Sequence, residues 1–442
     1  MKAKRNVIRA FLLGVMLLLL PPTEVQSQLT FTTNNGAITI TGYNLVAGGV
    51  VNIPSTTNGY PVTSIGTNAF DDSGLVSVTI PGSIITIGDW AFFGCQNLTN
   101  VTMSNGVANI GNYAFMACIS LAEITLPDSV TNLGLESFAS CENLNNIAFG
   151  NGLTSIGDDA FRDCFSLTSV SIPNNVTSIG STAFSVCTSL TNATIGSGVT
   201  NVLDNPFLEC QNLAAITVDN NNPAYVSVDG VLFNKSLTFL EEYPAGRTGT
   251  YQIPNSVTLI AGDAFDYCTG LTGITIPNSV TNIIGVAFDN CYGLTDVTIP
   301  ASVTFIGGGA FLNCTNLGIV FFVGNAPAAT QPMRVFSGLK NNAIGYYLFG
   351  KTGWGSTYSG LPTVLWNPQA QTSDCSFGVR TNQFGFNITG ISNLVIVVEA
   401  CTNLSNPVWQ PVQTNTITGG SSYFGDSQWM NFPSRFYRLR SP

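Results

Sequence analysis

The sequence predicts a β-rich solenoid, with short parallel strands and tight turns repeating every 23 residues or so, followed by a small antiparallel β module. Three observations carry this reading. A Phe preceded by a small residue recurs at Phe70, Phe92, Phe115, Phe138, Phe161, Phe184, Phe207, Phe265, Phe288 and Phe311, with spacings of 22, then 23 five times, then 58, then 23 twice. Gly and Pro-x-Ser steps punctuate each copy and leave no room for a long helix. Charged residues make up only 9% of the 442 residues, against roughly 25% in an average soluble chain.

Composition also excludes several functions. The chain has no His, which removes every Ser-His-Asp or Cys-His catalytic unit and every His-ligated metal site. Its formal charge of −10 argues against a nucleic-acid-binding surface. A chain this apolar and this poor in charge is not disordered. It has ample apolar surface to bury.

Taken in order, the first residues stand outside the fold. Lys2, Lys4, Arg5 and Arg9 precede an apolar run from Phe11 to Leu20, too short to span a membrane, which takes about 20 apolar residues. Small residues at Val25 and Ser27 suit signal-peptidase cleavage, so residues 1–27 read as a signal peptide and Gln28 as the new N-terminus. No Cys follows the run, which argues against a lipid anchor. Cleavage would remove four of fourteen basic and one of twenty-four acidic groups, leaving −13. Residues 28–68, with Leu29-Thr30-Phe31, Ile38-Thr39-Ile40 and Val51-Asn52-Ile53-Pro54, read as short strands of an N-terminal cap.

Residues 69–322 form the repeat. Each copy reads roughly I-G-x-x-A-F-x-x-C-x-x-L-x-x-V-T-I-P-x-S-V-x-x, as in Ala264-Phe265 through Cys268, Leu271, Ile274-Thr275-Ile276-Pro277 and Val280. The Val-Thr-Ile segment alternates and is β-branched, hence a short strand. Ala-Phe-x-x-Cys-x-x-Leu spaces apolar residues by three, as one helical or 3₁₀ turn would. One such coil cannot bury its own Phe, Cys, Leu and Ile, but stacked coils can. The common phase predicts a single buried column of ten Phe rings.

These residues resemble the BspA-like class of leucine-rich repeat, found in bacterial surface and secreted proteins. The resemblance covers roughly residues 30–322. It implies a curved right-handed solenoid with a parallel sheet along one side, and a binding or adhesion role rather than catalysis. The 58-residue spacing marks an insertion at 219–252, where Val228-Asp229-Gly230-Val231 signals a tight hairpin. The Asp-Gly-Val-Leu-Phe block followed by Tyr243-Pro244 looks like an island of this family, expected to project from the solenoid or add a strand pair, as a structural interruption or, alternatively, a ligand site. Residues 323–366, with Tyr346-Tyr347 and Gly353-Trp354-Gly355, suggest an irregular aromatic C-terminal cap, and the polar stretch 367–373 a linker. Within 367–442, Phe384–Ile388, Leu394–Glu399 and Phe436–Leu439 read as strands of a small antiparallel module, whose basic terminus is either an envelope contact or simply the last strand of a sandwich.

Nine of eleven Cys (Cys95, Cys118, Cys141, Cys164, Cys187, Cys210, Cys268, Cys291 and Cys314) lie three residues after a repeat Phe. Stacked coils bring such positions about 4.8 Å apart, close enough for bridges. Nine is odd, however, and free Cys behaves as a small buried hydrophobe, so a ladder of reduced thiols is expected. Cys375 and Cys401 are the better disulfide candidates.

Thr fills the strand centre at Thr79, Thr102, Thr125, Thr194, Thr217, Thr275 and Thr298, with Ala148, Ser171 and Phe321 in the other copies. Apolar neighbours on both sides point inward, so these Thr face outward. They suit either β propensity alone or a hydroxyl face for polysaccharide or protein. Ice-binding solenoids also carry regular Thr arrays, but the second Thr two residues away is missing. The candidate binding surface is therefore Thr102, Thr125, Thr194, Thr217, Thr275 and Thr298, continued by Phe321 and Tyr346 near the C-terminal cap. No residue stands out as catalytic, cofactor-binding or metal-ligating. Carboxylate hydrolysis needs no His, but the acids are mostly scattered singly over loops, and Asp219-Asn220-Asn221-Asn222 lacks calcium-loop spacing.

The function expected is a secreted or cell-surface protein that binds a protein or glycan, without cofactor, nucleic acid or membrane span. A structural envelope protein without a soluble partner is the alternative, and a carboxylate-type polysaccharide hydrolase a more distant one.

Overall fold

The computed structural model describes residues 28–44, 49–329, 334–390 and 394–440. The expected signal peptide, residues 1–27, lies outside them. Each coil contributes two strands to two parallel ladders, where the sequence pointed to one. The longer strands carry the Thr column, as in Ser77–Ile80, Asn100–Met103, Ser169–Ile172 and Asn192–Ile195. The shorter strands are only two residues long, as in Thr86–Ile87, Asn109–Ile110 and Ser155–Ile156, and pair coil to coil in register. Right after them comes the repeat Gly. A Cβ on Gly157 would lie 2.6 Å from the Gly134 carbonyl oxygen, so the backbones approach closely there.

The Ala-Phe-x-x-Cys stretch is a series of turns, not a helical turn. Ala91 and Cys95 N–H groups donate three residues back, to Gly88 and Phe92, but Trp90, Phe92 and Gly94 donate to the next coil, to Asn112, Ala114 and Met116. Left-handed backbone at Trp90 (φ 60°) and Gly94 (φ 66°) turns alternate N–H groups out of the coil, which a helix cannot do. Each coil thus satisfies its neighbour's backbone. Turn-side Asp and Asn help: Asp89, Asn112, Asp128 and Asp158 each accept a backbone N–H from the following coil.

All ten repeat Phe residues are buried, but in two stacks rather than one column. The first runs from Phe70 to Phe207 with centroids 4.8–5.5 Å apart. The second continues through Tyr243, Phe265, Phe288, Phe311 and Phe336. The insertion separates them. Its hairpin, Tyr225–Val228 and Val231–Asn234, turns at Asp229-Gly230 with both φ positive. Leu232 faces the first core while Val231 and Phe233 face the second. Phe239–Glu242 then joins the short-strand ladder beside Leu259–Ile260, and Gly249–Gln252 joins the long one beside Leu271–Thr275. The insertion therefore does not project. It adds the strand pair that was the other expectation, and supplies a further coil with Tyr243 in the Phe position.

Each ladder Cys is buried and reduced, with its thiol donating to the aromatic residue's carbonyl one coil earlier: Cys118 to Phe92 (3.2 Å), Cys210 to Phe184 (3.1 Å), Cys314 to Phe288 (3.0 Å). Burial pushes Cys141 and Cys314 up to about 12. Cys375 and Cys401 are also free thiols, so the expected disulfide between them is absent. Cys401 is buried at the end of Val395–Cys401, whereas Cys375 is exposed in the turn before Gly378–Arg380.

The ladders continue past Phe322. Ile344–Leu348 pairs in parallel with Ile319–Phe322, and Leu361–Trp366 with Ile344–Leu348. Trp354 stacks on Tyr347 and covers Phe322, sealing the last core. Beyond it lie two small antiparallel sheets, one built on Gln383–Thr389 and one on Val395–Cys401. The stretch expected as a linker holds Gln369–Ala370, an edge strand of the first. The basic terminus is engaged internally. Arg438 and Arg440 both donate to Glu399 at 2.7 Å, and Arg435 pairs with Asp426 at 2.6 Å.

Candidate binding face

The long strands alternate as their pattern dictates, Val and Ile inward and Thr outward. Thr102, Thr125, Thr194, Thr217, Thr275 and Thr298 are all exposed, and Thr79 is half-buried. In-register pairing aligns them coil to coil, as in Ser171↔Thr194↔Thr217. Two residues earlier a second exposed column runs through Asn100, Glu123, Asn146, Ser169, Asn192 and Asp296. The result is a polar face with two carboxylates in that column, built on a succession of short parallel sheets.

Phe321 and Tyr346 belong to a different surface. Register carries the Thr298 column on through Phe321, Tyr346 and Val364. At Phe321 it changes from hydroxyl to apolar, and there the C-terminal module sits. Phe321 and Tyr346 are 8% and 3% exposed, packed with Phe386, Ile388, Ile396, Val398 and Phe424 of the module. Trp366 meets Phe321 edge-on at 5.6 Å. They do not extend the exposed face, because covering that apolar column is more favourable than leaving two large rings in water. The departure from Thr at Phe321 was the available signal.

A cluster of raised carboxylates lies elsewhere, at the insertion, which the sequence left open between a structural interruption and a ligand role. Burial pushes Glu242 up to about 8, reinforced by repulsion from Glu241 and Asp263. Burial also lifts Glu241 to about 7 and Asp263 to about 6, the latter helped by Asp204 and Asp289. The neighbouring Asp219–Asn222 turn is structural: the buried Asn222 amide donates to Gly196 and Val199 carbonyls and accepts from Ala224 and Tyr225.

A model of the BspA type leucine-rich repeat region, in six copies, matches residues 63–174, 108–225 and 247–341, more than half of the chain. No curated protein matches it. Among solved structures, a leucine-rich cell surface protein from Faecalibacterium prausnitzii A2-165 is 31% identical with a TM-score of 0.55, over 66% of this chain and 86% of that one. A leucine-rich repeat protein from Eubacterium ventriosum is 26% identical with a TM-score of 0.51, over 74% and 77%. The pneumococcal vaccine antigen PcpA, 20% identical with a TM-score of 0.55 over 74% and 93%, shares the fold. The family match falls on the coils that the Phe spacing marks, and the chain belongs to the BspA-type leucine-rich repeat family.

Proposed function

We propose that this protein is exported, acts at the cell surface or outside the cell, and binds partner proteins rather than catalysing a reaction. The observation that carries the reading is that Thr102, Thr125, Thr194, Thr217, Thr275 and Thr298 are all exposed at the same strand position of successive coils, on short parallel sheets. Hydroxyl and amide groups adapt to many hydrogen-bonding partners, and a preformed sheet loses little entropy on docking. The surface setting rests on the cell surface relative from Faecalibacterium prausnitzii and on the basic and apolar N-terminal run. Among the described residues no helix is long and apolar enough to cross a membrane.

A protein partner is favoured over a glycan by the burial of Phe321 and Tyr346, the rings that would have stacked on sugar from this face. The test is a screen of the purified chain against extracellular proteins and a glycan array at low and moderate salt. The reading expects protein ligands, and glycan ligands alone would contradict it.

A further inference from the structure

The break in the solenoid holds a notch of about 270 Å³ between Val202–Pro206 on one side and the insertion with its following coil on the other. The short-strand ladder stops at Asn201–Val202 and restarts at Phe239–Glu242, so two coils that would normally pair stand apart here. Glu242 lies in the notch and is 5% exposed. Its place in the repeat is informative. The Tyr243 N–H donates to Ala264 just as the Phe265 N–H donates to Ala287, so Glu242-Tyr243 is the Ala-Phe step of this coil. Elsewhere that position is Ala69, Ala91, Ala114, Ala160, Ala183, Ala264, Ala287 or Ala310, with Ser137 and Pro206 the exceptions. The fold asks only for a methyl group, and a buried carboxylate there is costly. The Phe207 N–H donates to the carboxyl group, while Oε2 has no partner.

We propose that the notch is a pocket for the side chain of a lysine or arginine presented by a partner protein. Leu203, Phe239 and Ile284 line it as apolar walls, and Glu242, Glu241 and Asp263 supply the acid. That pairing of apolar walls with acid suits an aliphatic stem ending in a cation. Asp204 completes the rim, and no basic residue lines the notch. A bare metal ion fits less well, because among the described residues no three carboxylates or thiols converge as metal ligands do. The groups facing Glu242 are Glu241, Asp263 and the Cys210 and Cys268 thiols, all acids, so none of them supplies a cation to pair with its ionised form.

The proposal deepens the protein-binding reading and rests on it for the source of the cation, but its test needs no partner. The purified chain is titrated with Nα-acetyl-lysine methylamide, the arginine counterpart, and the neutral norleucine counterpart, followed by calorimetry or NMR. The two cationic probes should bind and the norleucine one should not. Affinity should rise at least about tenfold from pH 5.5 to 8.5, because binding favours the ionised carboxylate. Glu242→Gln should lose at least about tenfold at the higher pH while unfolding at the same or a higher temperature. Glu241→Gln, on a half-buried neighbour, gives a second variant, expected to weaken binding. Equal binding of all three probes, undiminished binding by Glu242→Gln, or calcium displacing the lysine probe from Glu242 would overturn the proposal. A chain that binds the probes but no extracellular protein would refute the docking reading and leave the pocket standing.

Discussion

The Cys187 thiol donates to the Phe161 carbonyl oxygen, one coil earlier, at 3.3 Å. The same bond recurs down the ladder, so Cys serves here as a small apolar filler that also carries a donor. Cys187→Ala removes both, and should cost about 1–2 kcal/mol in denaturant unfolding. A variant as stable as the parent would contradict this. Thiol counting gives the companion check: Cys375 should react in the folded chain, and the unfolded chain should show the same count with and without reductant. A higher count after reduction would mean cross-links.

Glu242 makes stability pH-dependent in an unusual direction. Its folded value of about 8 lies above the ordinary Glu value of 4.5, and Glu241, Asp263 and Asp266 are raised to about 7, 6 and 7. Between about pH 4.5 and 8 the folded chain therefore holds more protons than the unfolded one, and stability falls as pH rises through that window. Glu242 alone accounts for roughly 3–5 kcal/mol of the fall across the whole window. Glu242→Ala, which restores the residue most coils use, should raise the unfolding temperature at pH 8 and flatten the profile between pH 5 and 8. Unfolding whose midpoint climbs steadily over that range would count against it. Below about pH 4 the opposite sign takes over at Glu399: burial raises it, but hydrogen bonds from Arg440 and Arg438 more than offset that and hold it below its usual value.

Phe321 and Tyr346 anchor the C-terminal module to the end of the solenoid. Phe321→Ala should weaken that docking by about 3 kcal/mol, within the usual range for a buried Phe. Limited proteolysis should then cut within residues 367–373 faster, while the solenoid's own unfolding transition stays put. Equal cleavage rates in parent and variant would show that the module is held by something other than this apolar column.

The repeat was legible because one chemical pattern recurs in phase: a fixed distance between Phe residues, Cys three residues on, and Thr between inward Val and Ile locate the core, the thiol ladder and the outward face without a structure. Other features left weaker marks. The second ladder is built from two-residue strands such as Thr86–Ile87, too short for alternation to register. The extra coils past Phe322 hid because Phe336 follows Phe311 by 25 residues with no Ala before it. The burial of Phe321 depends on what covers the sheet, which a strand pattern does not encode. Glu242 escaped notice because the insertion breaks the register that would have aligned it with Ala. The Cys375–Cys401 pairing was inferred from both lying in one module, and strand geometry places one exposed and the other buried.

The measurement that tests the central claim most directly is partner affinity for a chain carrying Thr125→Arg and Thr194→Arg. Both positions are exposed on the long-strand face, so the double change should leave folding stability within about 0.5 kcal/mol for each substitution. If partner proteins dock on that face, two bulky charges in its middle should weaken binding by at least about tenfold, roughly 1.4 kcal/mol. Affinity equal to that of the parent chain, in a variant that folds as well, would contradict the account.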